Sequence, residues 1–380
     1  MTISSQALKA QAAALGFNLA GVTPARPAPH LEAYRRWIAA GLHGEMGYLA
    51  RPDRVARRQD LGVILPGVRS LVLVGLDYHT GAVPAAVLSD PERGRIAAYA
   101  WGQDYHAVML ARLEALAAWL AQSAGAGVTT RAYVDTGAIL ERDHAQQAGL
   151  GFIGKNTLLI QPRRGSALFL GELLTTAEFD TYDQPGRDTQ CGRCTRCLTA
   201  CPTDAFPQPY VLDARRCLSY LTIEYKGWLP RELRPHLGNW VFGCDVCREV
   251  CPWERFAVRA LTPEFYPAEA DRAAPRLADL LALDEAAFTR RFGSSAVARA
   301  GRERLVRNAC VAAGNSARPG LAPALQARLQ DASPLVRGHA AWALGRLLGA
   351  AAAQPLRAAL QHEPDEQVRA ELAASLGAGS

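Results

Sequence analysis

Lysine is nearly missing from this chain: Lys9, Lys155 and Lys226 are the only three among 42 basic residues. Arginine supplies the rest, and with alanine so abundant this reads as genomic base composition. Arginine abundance therefore carries no functional meaning, and a retained lysine carries slightly more. Long apolar runs are also missing. None approaches the roughly 18 residues that a membrane helix needs, so no membrane role is expected. Ser4 to Gly16 is an Ala-rich helical stretch without a basic head and a cleavage site, so no export signal is expected. Arg35–Arg36 and Arg57–Arg58 are not followed by an apolar segment, so a twin-arginine signal is not expected either. A strong charge of one sign is absent too. The net charge of +6 over 380 residues is compatible with a nucleic-acid partner and does not establish one. The length suggests two or three domains.

Cysteine is what the chain does have, nine in all. Cys191, Cys194, Cys197 and Cys201, followed by Pro202, form C-x2-C-x2-C-x3-C-P, the bacterial iron–sulfur run. Cys217, then Cys244, Cys247 and Cys251 followed by Pro252, look like the same run with its first cysteine displaced upstream. In two-cluster ferredoxins the fourth cysteine of each run serves the other cluster. That rule assigns Cys191, Cys194, Cys197 and Cys251 to one [4Fe–4S] cluster. It assigns Cys217, Cys244, Cys247 and Cys201 to the second. Zinc has no use for a third cysteine at the same spacing. Disulfides belong to oxidising compartments and mostly to small domains, and a reducing cytoplasm is expected here. Cys310 sits in an apolar helical segment and reads as a small core residue.

In chain order, residues 1–25 read as a helix, capped by Ser4 or Ser5, and a strand from Phe17 to Val22. Residues 31–42 read as an amphipathic helix. Arg51, Arg54, Arg57 and Arg58 form a basic stretch, read as a solvated loop or helix face. Ser70 to Leu76 is a buried strand, residues 104–122 a long helix, and Arg131 to Val134 a strand ending at Asp135. A carboxylate just past a strand end suits either chemistry or a helix cap. Gly149, Gly151 and Gly154 do not complete a phosphate-loop motif. They fit equally a close approach of the backbone to a large flat ligand. Thr157–Ile160 and Ala167–Leu170 read as a hairpin. Strands and helices mix without βα alternation, so the fold class is α+β. Helices starting near Val306, Val336 and Val368 repeat with HEAT-like spacing, with Gly314 and Gly345 near the ends of the first two. Residues 301–380 hold nine Arg and six acidic residues and offer a basic surface for a large partner. The residues alone imply a cytoplasmic redox enzyme with an electron-relay module. A reductase of a small molecule and a non-enzymatic electron-transfer module both stay open.

Several segments resemble the epoxyqueuosine reductase family. They are His43-Gly-Glu-Met46, Gly102-Gln-Asp-Tyr-His106, Val134-Asp-Thr-Gly-Ala-Ile-Leu-Glu-Arg142 and Ala148-Gly-Leu-Gly-Phe-Ile-Gly-Lys-Asn-Thr157. Phe169-Leu-Gly-Glu-Leu173, Arg216-Cys-Leu-Ser-Tyr-Leu-Thr-Ile-Glu224 and Gly243-Cys-Asp-Val-Cys247 continue the match. The resemblance implies a cobalamin-binding α+β domain at 1–185 and a ferredoxin-like two-cluster module at 186–262. A helical linker at 263–300 and HEAT-like repeats at 301–380 complete the expectation. It implies two [4Fe–4S] clusters and base-off cobalamin, with Arg58, Asp135, Asn156, Leu170, Ser219, Asp245 and Val246 near the cofactor, and Arg57 as the alternative to Arg58. Asp104-Tyr-His106 lacks the glycine of the D-x-H-x-x-G cobalamin motif, so His106 is not expected on cobalt. Asp104, Tyr105 and His106 are expected near the modified base. The implied reaction is the last step of queuosine formation in tRNA: two-electron reduction of the epoxide to an alkene, with oxygen lost as water. Asp135 is the implied proton donor and Asp104 a weaker one. The implied partners are a tRNA anticodon stem-loop carrying epoxyqueuosine and a one-electron donor such as flavodoxin or ferredoxin. A cytoplasmic monomer is expected.

Overall fold

A computed structural model describes residues 2–81, 83–125, 127–186 and 190–377. The chain divides into two compact units. One combines Met1–Thr80, Asp104–Arg215 and Val246–Phe265, the other Gly81–Gln103, Arg216–Asp245 and Tyr266–Ser380. Mixed helix and sheet confirm the α+β class. No helix among the described residues is long and apolar enough to cross a membrane.

The first unit is built on four antiparallel strands: β1 (Leu19–Pro24), β2 (Ser70–Asp77), β3 (Thr130–Tyr133) and β4 (Leu168–Thr175), in the order β1-β2-β4-β3. Every residue of β2 is buried, as its run of Leu and Val requires. Helix α1 (Ser5–Ala14) starts where the Ser4 side chain accepts the Ala7 N–H, and it buries Leu8 and Ala12, one turn apart. Helix α2 is Leu31–Ala39 and helix α3 is Pro52–Gln59, with proline in its first turn. Helix α4 (Tyr105–Ala124) is capped by Asp104 and packs against β4. At Gly171 an added Cβ would lie 3.2 Å from both Met109 and Val74, so the glycine sets how closely α4 approaches. On the opposite face Leu71, Leu73 and Leu174 form a core with Ile139, Ala145 and Leu150. Helix α5 (Glu141–Gln147) contributes Ala145.

The expected hairpin of Thr157–Ile160 with Ala167–Leu170 does not form. Leu159–Ile160 pairs with Phe152–Ile153, and β4 pairs with β2 and β3. A single bridge, Gln161 to Gly165, joins the two segments. The glycines before the hairpin serve chain packing. A Cβ on Gly151 would meet the Ile160 carbonyl at 2.4 Å, and one on Gly154 would meet Ile160 at 2.5 Å. The arginine stretch is also not simply solvated. Arg58 is buried, donates to the Arg54 carbonyl at 3.2 Å and lies over the Tyr34 ring.

The second unit carries the repeats: α6 (Gly301–Asn315), α7 (Pro334–Leu348) and α8 (Glu366–Gly377). Gly314 is the next-to-last residue of α6, near its end as expected, and Gly345 lies in the last turn of α7. An added Cβ would meet Ala343 Cα at 2.9 Å and the Ser375 carbonyl at 3.0 Å, so these glycines allow successive helices to cross closely. Cys310 is fully buried in α6, as a core residue should be. Much of the tail's positive charge is used internally. Arg302 and Arg328 both pair with Asp331, and Arg337 pairs with Glu363. The exposed arginines that remain, such as Arg318 and Arg357, make a sparser basic surface than the count suggests.

Candidate active site and cluster cavity

Asp135 follows β3 by two residues, with φ of +57°. The Thr136 N–H reaches the Val134 carbonyl at 2.7 Å across it. This is a γ-turn with positive φ at a non-glycine residue, a rare and strained conformation costing about 1–3 kcal/mol. The turn presents the Asp135 carboxylate half-exposed, its side chain 51% accessible. It is therefore not a helix cap, and it is less buried than a shielded acid would be. The Tyr105 hydroxyl donates to Asp135 Oδ2 at 2.8 Å, and His106 Nε2 stands 3.8 Å from the same oxygen. Tyr105 stacks between His106 and Phe169, with centroids at 4.1 and 4.3 Å. Asp104 accepts from the His106 backbone and lies 2.6 Å from its ring. Burial pulls the His106 pKa down, but its hydrogen bonds to Asp104 and Asp135 prevail and raise it to about 9. At neutral pH the His106 imidazole, between Asp104 and Asp135, is thus cationic. Asp104, Tyr105, His106 and Asp135 form one cluster of side chains.

In the same unit, Cys191, Cys194, Cys197 and Cys251 line a cavity of about 210 Å³ with Asn156, Ile160 and Trp253. Among the described residues, no group of three or more His, Cys, Asp or Glu is arranged to hold a single metal ion. A larger group suits this cavity better than zinc does. Burial first, and then Cys191 and Cys251, push the Cys197 thiol up. Four thiolates here need cationic iron to be stable together. Cys201 and Cys247 also belong to the first unit, while Cys217 and Cys244 belong to the second.

The lone lysine of the glycine-rich segment has a role that spacing alone did not reveal. The Lys155 N–H points at Cys191 Sγ, 3.4 Å away, and Nζ donates to the carbonyls of Gly192 and Cys194 at 2.8 and 3.0 Å. The next residue, buried Asn156, donates to the Cys247 carbonyl at 3.2 Å. Gly154 to Asn156 therefore braces two cysteine loops that lie far apart in sequence. The available signal was the rarity of lysine.

Residues 190–254 match the family model described as a 4Fe-4S double cluster binding domain. Residues 58–136 match the one described as Epoxyqueuosine reductase QueG, DUF1730, and residues 294–377 match HEAT repeats. The epoxyqueuosine reductase of Pseudomonas aeruginosa is 43% identical over 90% of this chain and 94% of that protein. The chain belongs to the epoxyqueuosine reductase family. The Escherichia coli reductase is 37% identical over 90% of this chain and 89% of its own. A crystal structure of selenomethionine-labelled epoxyqueuosine reductase superposes with a TM-score of 0.90 at 33% identity, covering 99% of this chain and 98% of the other. A second, with an epoxyqueuosine-modified tRNA-Tyr stem loop, gives 0.88 at 33% identity over 98% and 97%.

Within this family member the candidate cofactor residues fall into two groups. Arg58, Asp135, Asn156, Leu170 and Val246 belong to the first unit, and Ser219 and Asp245 to the second. Asp245 is buried and accepts the Ala98 N–H at 2.7 Å. Asn156 and the loop at Val246 are brought together through the bond to Cys247. The donor chemistry fits an amide-fringed macrocycle. Arg58 has a multi-donor fork with few protein acceptors, Asn156 is a buried amide, and Leu170 is apolar.

Proposed function

We propose that this chain reduces epoxyqueuosine in tRNA to queuosine, in a cytoplasm that supplies single electrons. The observation that carries this reading is the Asp135 turn, whose strained backbone holds a proton-donating group beside Tyr105 and His106. Strain of this kind persists where the surrounding structure requires it. One [4Fe–4S] cluster is assigned to Cys191, Cys194, Cys197 and Cys251, and the second to Cys201, Cys217, Cys244 and Cys247. Base-off cobalamin, held by Arg58, Asn156, Leu170, Ser219 and the Asp245–Val246 loop, would supply the strongly reducing metal that protein side chains lack. Asp135 protonates the departing oxygen. Tyr105 orients Asp135 by donating to Oδ2, and His106 adds positive charge where the oxygen becomes negative. The His106 ring, backed by Tyr105, offers a flat face for the modified base.

The test is a single turnover with anaerobic protein carrying both clusters and cobalamin, given a low-potential reductant and tRNA containing epoxyqueuosine. Queuosine should appear, and only when cobalamin is bound. Loaded, reduced protein that leaves the tRNA unchanged would rule the reading out, as would full activity without cobalamin.

A further inference from the structure

Behind the Asp135 turn lies an acid that the reaction described so far does not use. Glu172 sits mid-strand in β4, opposite Leu73 of β2 and Tyr133 of β3. Its alternation with Leu170 and Leu174 turns it into the face formed by Leu71, Leu73 and Ile139. It is 0% exposed, and neither carboxylate oxygen has a hydrogen-bond partner. Gly137, two residues past Asp135, passes so close that a Cβ there would meet Glu172 Oε1 at 3.0 Å. Glu141, the first residue of α5, is the neighbouring acid. Its carboxyl accepts the backbone N–H of Asp135, and its Oε1 is unpartnered. Two ionised carboxylates are both acceptors and cannot bond each other. The hydrogen bond open to Glu172 runs to Glu141, and it requires that one of them keep its proton.

We propose that Glu141 and Glu172 share one proton behind the Asp135 turn and return it to Asp135 in each reduction. The inference rests on the function proposed above, whose stoichiometry demands such a source. Converting an epoxide to an alkene breaks both C–O bonds, forms the C=C double bond and releases the oxygen as water. It takes up two electrons and two protons. The electrons come singly from the external donor through the clusters. Asp135 delivers one proton and must be recharged to deliver the second. Glu141 touches the Asp135 backbone, so it is placed to pass a proton forward to the turn. Glu172 is fully buried, and its carboxyl, held against Glu141, favours keeping the proton that the two share. Burial first and then Asp135 raise Glu141 to about 8, and burial raises Glu172 well above the usual carboxyl range. Arg58 opposes the shift at Glu172, as do Arg142 and His106 at Glu141, and none of them cancels it. Both glutamates act through Asp135, as positioning residues.

Glu172→Gln and Glu141→Gln in the full chain, with clusters and cobalamin loaded, test the proposal in two ways. Infrared difference spectra against pH read a protonated carboxyl directly, without turnover. Wild type should keep a carboxylic-acid band through neutrality that fades near pH 8. Either substitution should remove it or move it lower. The alkaline limb of the single-turnover rate should shift by roughly one pH unit or more in Glu172→Gln, since the acid that shares the proton is gone. Cofactor content and thermal stability should be kept. An unchanged band or an unchanged limb in Glu172→Gln would overturn the shared proton. If wild type fails to turn over modified tRNA, the function reading falls separately. The infrared arm still decides: loss of the band supports the shared proton, and a wild-type band in Glu172→Gln refutes it.

Discussion

Arg307 of the second unit and Glu172 of the first are buried in opposite ways. In the second unit Arg307 is completely buried, and its guanidinium donates to the carbonyls of Leu221, Tyr225 and Gly227 and to Asn308 Oδ1. Arg234, 2% exposed, is held by Glu371 and the Leu229 carbonyl. In the first unit Glu172 is equally buried and has no ion-pair partner; the hydrogen bond open to it runs to another acid, Glu141. A satisfied buried charge is a fastening, since its removal strands the groups it served. An unsatisfied one lowers stability, and the Asp135 turn beside it adds backbone strain. The first unit gives up stability where the chemistry is proposed, and the second does not.

Substitutions at these places should separate the two kinds of site. The largest effect should come from Cys251→Ala, which should abolish the cluster carried by Cys191 despite the distance in sequence. Electron paramagnetic resonance and iron content check this, and loss of the other cluster alone would refute the crossed assignment. Asp135→Asn comes next. Single-turnover reduction, normalised to bound cobalamin, should fall roughly 10²–10⁴-fold, the usual worth of a positioned proton donor. Clusters and melting temperature should be retained. A fall in melting temperature with near-normal rate per cofactor would make Asp135 a structural residue like Arg307.

Arg307→Met should do the reverse. It strands three carbonyls and Asn308 and should destabilise the second unit by about 3–5 kcal/mol, read by denaturant melts. Gly338→Ala is smaller. Alanine ordinarily favours a helix, but here its Cβ would fall 2.1 Å from the Trp228 ring, so a loss of about 1–3 kcal/mol is expected. An increase in stability would show that Trp228 yields freely. The smallest effect is on pH. His106, raised to about 9, contributes stability that is complete below its unfolded value of about 6.5 and is lost as pH rises through 9. Glu141 has the same sign, because the folded state keeps its proton up to about 8. Hydrogen exchange in the first unit should therefore accelerate between neutral pH and pH 9 beyond the intrinsic rate, and His106→Gln should reduce the acceleration.

Local chemistry in the sequence accounts for a good deal of this. Ser4 caps α1, Asp104 caps α4, and the apolar run from Ser70 forms β2, because caps and periodicity act over a few residues. The cysteine spacing likewise carries the double-cluster domain. The spacing of Val306, Val336 and Val368 placed three helices of the repeat array. What failed depended on partners distant in the chain. The pairing of β4 with β2 and β3 overrode a hairpin that looked favourable from neighbouring residues. Gly151 and Gly154 turned out to lie against Ile160, a contact their spacing does not reveal. Arg58 looked solvated because nothing nearby in sequence shows that Tyr34 covers it.

The sequence by itself determined the double-cluster domain, the helix caps and the family, since each lies in residue type at fixed local spacing. Only the tertiary structure decided that Asp135 sits in a strained turn, that Lys155 ties down the Cys191 loop, and that Glu172 has no ion-pair partner. Reach and desolvation arise from groups brought together from separate segments, as Tyr34 is against Arg58 and Cys191 against Lys155. No local pattern records them.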